Sequence, residues 1–140
     1  MSINTTFVFA PDTDVAAIPG VTGAPASFDD VASPVRAAQF GPHAVLVDDE
    51  ASRLSLPDGS VIVTLGGTAD VYAVEVPSVG RLRVLSEREV VEDVGDPVAA
   101  EGIFDEIEDP EDAHIEFVCR LAGITPRDLW DGEWFAVETR

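Results

Sequence analysis

Residues 60–85 read SVIVTLGGTADVYAVEVPSVGRLRVL, and this stretch decides the fold class. Ser60–Leu65 is an apolar run rich in β-branched residues, of strand length and too short for a helix. Gly66-Gly67 marks a turn. Asp70–Val76 and Gly80–Leu85 then face each other across Pro77-Ser78-Val79-Gly80, the pattern of a hairpin. In the second arm Leu82 and Val84 point one way, Arg81 and Arg83 the other.

Working outward, further strands are expected at Ile3–Ala10, His43–Asp48, Arg53–Leu56, Glu89–Val94 and Glu133–Glu138. Pro11–Ala26 holds three prolines and two glycines with no periodicity and reads as a long loop. Ser27-Phe28-Asp29-Asp30 has the form of a helix cap, and Ser33-Pro34 is expected to open a helix through Phe40, stopped by Gly41. Asp96-Pro97 and Asp109-Pro110 each pair an N-cap with a proline at the first helical position, predicting helices over 97–107 and 110–122, the second stopped by Gly123. Thr125-Pro126 opens one more turn. The sum is a single α+β domain: a mainly antiparallel sheet, C-terminal helices packed on one face, and a closing C-terminal strand.

The chain has 140 residues, 46% of them hydrophobic, enough for a core without staples. Its charge is lopsided: 27 Asp and Glu stand against 8 arginines, with no lysine. Between Glu87 and Glu116 there are 13 carboxylates and one cation, Arg88. Such a surface repels nucleic acid and anionic lipid and attracts basic partners. Arginine without lysine points to a high-GC genome, actinobacterial or phage, with a salt-adapted archaeal proteome as the alternative source of acidity. A single cysteine, Cys119, excludes an internal disulfide. The N-terminus lacks a basic and apolar leader, and the longest apolar runs are far short of a membrane span, so a cytoplasmic location is expected.

Several motifs taken together resemble a family of small uncharacterised actinobacterial proteins classed as a domain of unknown function. They are Leu54-Ser55 leading through Gly59 into Val61–Val63, then Gly80-Arg81-Leu82, then Gly95-Asp96-Pro97. The last is Leu121-Ala122-Gly123-Ile124-Thr125-Pro126 before Leu129. The resemblance spans 54–134. It implies an α+β fold and no activity.

Catalytic chemistry finds little support. His43 and His114 are the only histidines, neither lies in a nucleophile context, and both read as surface or cap residues. Cys119 reads as an inert helix residue. The acidic cluster lacks calcium-loop spacing, and His114 has no second histidine nearby, so no metal and no cofactor is expected. Gly66-Gly67-Thr68 lacks the lysine of a phosphate loop. Trp134 reads as core. Trp130, in a short turn between Arg127 and Asp131, is as good a candidate for an interface.

The expectation is therefore a non-enzymatic binding protein, an inhibitor or immunity-type protein that engages a basic protein such as a toxin or nuclease. Its candidate contact residues are Glu101, Asp105, Glu106, Glu108, Asp109, Glu111, Asp112, Glu116 and Trp130. The alternatives are a phage-encoded mimic of DNA charge, a small enzyme with an acidic pocket near 11–26, and a salt-adapted housekeeping domain.

Overall fold

The computed structural model describes residues 4–29, 33–49 and 57–138. Among the described residues nine strands form one sheet, every neighbouring pair antiparallel. In chain order they are β1 (Asn4–Ala10), β2 (Val21–Ala26), β3 (Val35–Phe40), β4 (His43–Asp48), β5 (Val61–Gly66), β6 (Val71–Val76), β7 (Arg81–Ser86), β8 (Glu89–Val94) and β9 (Trp134–Val137). Their order across the sheet is β2-β9-β3-β4-β1-β5-β6-β7-β8. A 3-10 turn (Ala99–Asp105) and two helices, α1 (Pro110–Ala122) and α2 (Pro126–Asp131), lie between β8 and β9.

Side-chain alternation sorts the core into two clusters. Phe7, Phe9, Val45, Val47, Val63 and Val74 face the helical layer and meet Phe117, Val118, Cys119 and Trp134. Val8, Ala10, Ala37, Ala44 and Leu46 face the other way, under Ile18 and the 3-10 turn Val15–Ala17. The central strands β1, β3 and β4 are thus covered on both faces. Among the described residues, the second cluster does not extend behind the hairpin β6–β7 or the edge strand β8.

The expected hairpin is present, with Val76 opposite Arg81 and a short 3-10 turn at Pro77–Val79. Helix α1 starts and stops where its caps predict: Asp109 accepts the Asp112 N–H at 3.0 Å, and Gly123 takes the left-handed conformation at φ 72°. Thr125 and Asp128 cap α2 reciprocally.

Three expectations are corrected. The segment 33–40 is strand β3, not helix. Its small residues Ala37 and Ala38 fit between β4 and β9, and pairing on both sides outweighs the proline signal. Residues 11–26 are not a loop throughout, because Val21–Ala26 pairs with β9. That partner lies more than a hundred residues away, and Gly23 and Pro25 are tolerated because β2 is an edge. The helix expected over 97–107 is a 3-10 turn over Ala99–Asp105 that carries Gly102. At 27–29 the chain makes a turn. The strand expected at Arg53–Leu56 lies outside the described residues.

Candidate binding groove and the ionic clamp beside it

The arginine face of β7 points under the helical layer. Arg81 is 2% exposed and binds Glu101 with two nitrogens, Nε to Oε2 at 3.0 Å and Nη2 to Oε1 at 2.5 Å. Its Nη1 donates to Asp93 and, at 3.2 Å each, to the carbonyls of Val94 and Gly95. Glu101 in turn accepts the Val98 N–H at 2.7 Å, which anchors the start of the 3-10 turn. These partners push the Arg81 guanidinium far above its usual range, the Glu101 hydrogen bonds first among the causes. Gly95 closes the clamp: at φ 81°, a Cβ there would stand 2.6 Å from the Gly80 carbonyl oxygen. Glu101, expected on an outward face, is therefore turned inward and is 9% exposed.

The remaining acidic candidates separate into distinct places. Asp105, Glu106, Glu108, Asp109 and Asp112 are exposed, while Glu111 and Glu116 are half-buried. Glu106 pairs with Arg120 at 3.2 Å, and Asp109 is committed to capping α1. Only Asp112 and Glu116 share a concave surface with Trp130.

That surface is a groove in two parts. Trp130 is 57% exposed and meets Phe28 edge-on at 5.0 Å between ring centroids. Phe28 stacks beneath on Trp134 at 5.7 Å and Phe7 at 6.0 Å, so the exposed indole rests on the main core. On one side of this pair a hollow of about 380 Å³ is lined by Ile107, Ile115, Pro126 and Leu129, with Asp112 and Glu116 at its edge. On the other side a hollow of about 410 Å³ is lined by Asn4, Arg36 and Val47, with Asp29 and Asp49. Asp49 is held by Arg36 at 2.9 Å and by the Thr5 hydroxyl at 2.5 Å. An apolar floor, one large exposed indole and the carboxylates of Asp112, Glu116 and Asp29, with Asp49 already paired to Arg36, can seat an apolar side chain flanked by cations.

Around Phe28 the sequence reads as a helix cap, and nothing in it places this ring under Trp130. Ile115 falls within the helix expected over 110–122, but its place in the lining of the groove depends on tertiary packing.

The histidines divide. His43 is half-buried and accepts the Asp12 N–H through Nδ1 at 3.0 Å. His114 is 1% exposed, contrary to the expectation of a surface or cap residue. Its ring lies between Tyr72 at 5.1 Å and Phe104 at 4.6 Å. It faces inward because it follows Pro110 by four residues and so shares the buried face of α1. Burial drives its pKa down to about 4. Burial likewise drives the Cys119 thiol up to about 12, which fits an inert core residue.

Among the described residues no group of three or more His, Cys, Asp and Glu side chains is placed to hold a metal ion. None of the helices described is long and apolar enough to cross a membrane. No family model, no curated protein and no solved structure matches the chain.

Proposed function

We propose that the chain is a cytoplasmic, non-enzymatic binding protein, of inhibitor or immunity type, that seats a basic protein partner on the Trp130 groove. One observation carries this: an exposed tryptophan braced on the core by Phe28 and ringed by Asp112, Glu116, Asp29 and Asp49. Carboxylates at the rim raise the encounter rate with a cationic surface, and the indole with its apolar floor retains it. A mimic of DNA charge needs rows of anions without an apolar centre, so the groove favours a protein partner over that alternative.

Affinity capture from the host, using wild type, Trp130→Ala and the double variant Asp112→Asn/Glu116→Gln, tests the reading. Wild type retains a basic protein that salt releases, and both variants lose it. A captured partner that is acidic, or retained equally by all three chains, contradicts it.

A further inference from the structure

A second cavity, of about 210 Å³, lies between the β7–β8 hairpin and the start of α1. It shares Ile107 with the Trp130 groove and differs from it in charge. With 27 carboxylates available to 8 arginines, an arginine without a carboxylate partner is unusual. Arg36, Arg81, Arg120 and Arg127 all form ion pairs. Arg83 and Arg88 form none among the described residues, and both line this cavity.

Two buried polar atoms also belong to its lining residues and lack hydrogen-bond partners: Arg83 Nη1 and His114 Nε2. The first is a donor. The second is an acceptor, by the following geometry. His114 Nδ1 sits 2.6 Å from the Pro110 carbonyl oxygen, which can only accept, so Nδ1 carries the ring's proton and Nε2 presents a lone pair. Leaving either atom dry and unpaired in a folded chain is costly. The Arg83 guanidinium is held in place by the Phe104 ring, 4.3 Å from its centroid. Arg88 stands in the tight β7–β8 turn at φ 66°, next to Glu87 at φ 52°, left-handed positions that Asn-Gly normally fills. Arg88 thus occupies a position where the backbone favours Asn or Gly.

We propose that this cavity binds a small apolar carboxylate with a hydroxyl or amide N–H beside its carboxyl group. Both buried atoms have almost no open surface in the free chain, so a side-chain shift at the cavity wall admits the ligand: its carboxylate meets Arg83 Nη1 and Arg88, its neighbouring O–H or N–H donates to His114 Nε2, and its apolar body lies against Phe104 and Ile107. Glu108 lines the same cavity, and its charge favours a singly charged carboxylate over a phosphate dianion.

Mandelate is a direct probe, with phenylacetate lacking only the hydroxyl and phenyl phosphate carrying the other anion. In an NMR titration of the full chain, mandelate gives saturable shifts confined to 83–90 and 104–114. Phenylacetate binds several-fold more weakly, and phenyl phosphate more weakly than mandelate. Arg83→Gln raises the mandelate Kd by about tenfold, the loss of one charge-assisted hydrogen bond. Arg88→Gly relieves the left-handed backbone and so raises the Tm, yet weakens binding by about threefold. That variant keeps the test sharp if Arg83→Gln folds poorly. Absence of saturable shifts up to about 20 mM mandelate, a limit near the weakest specific binding, overturns the proposal. So do a Kd unchanged in both variants and tighter binding of phenyl phosphate.

Discussion

The two ends of the helical layer put their carboxylates to opposite uses. At the 3-10 end, Glu101 turns inward and is satisfied by Arg81 and the Val98 N–H. At the α1–α2 end, Asp112 and Glu116 stand at the edge of an apolar hollow beside an exposed tryptophan. The acidity of this chain is therefore not one property. Part of it locks the layer to the sheet, and part of it stands at the edge of the groove where we propose that a partner docks. Substitutions at the clamp are expected to change stability with little effect on partner binding, and substitutions at the groove the reverse.

The largest effect is expected at the clamp. Arg81→Ala leaves Glu101 buried without its cation and costs about 3–5 kcal/mol, measured by urea unfolding. Arg81→Met combined with Glu101→Leu recovers much of that loss, because the buried charge is gone from both sides. A double variant no more stable than Arg81→Ala alone breaks the assignment of the clamp as a coupled pair.

His114, on the buried face of α1 between Tyr72 and Phe104, links stability to pH. Its ring is neutral in the fold down to about pH 4 but protonates near its ordinary value in the unfolded chain. Between those two values the unfolded state binds more protons, so this residue's contribution is complete above about pH 6.5 and is lost as the pH falls. Relative to His114→Gln, wild type loses roughly 2 kcal/mol between pH 7 and pH 5. A pH-independent difference between the two chains contradicts the buried, neutral ring.

The smallest stability effect is expected at the groove. Asp112→Asn with Glu116→Gln shifts unfolding free energy by no more than about 0.5 kcal/mol, since an exposed and a half-buried charge near others of the same sign hold little together. A loss as large as that at the clamp would mean that these carboxylates are structural too.

The difference between the ends also marks what could be read from sequence. The α1 boundaries follow from Asp109, Pro110 and Gly123, because caps act within a turn of the chain. The β6–β7 hairpin follows for the same reason, its two arms being joined by a few residues. Strand β3 was misread as helix because its partner β9 comes about a hundred residues later, and local preference carries no record of such pairing. The same limit hid the site. The sequence marks Asp112, Glu116 and Trp130 as acidic or aromatic, but only tertiary packing brings Phe28 under Trp130. It also gives no sign that Glu101 differs from its acidic neighbours. That distinction arises from Arg81, on the far side of the β7–β8 turn.

The most direct test of the central claim is the salt dependence of association with the captured basic partner, followed by stopped-flow fluorescence. For wild type, the association rate falls steeply as ionic strength rises past the range where the Debye length shrinks to about 8 Å. For Asp112→Asn/Glu116→Gln the rate is lower at low salt and its salt dependence flatter, while Trp130→Ala raises the dissociation rate instead. Association that is insensitive to salt, and the same in wild type and the double variant, would contradict the account.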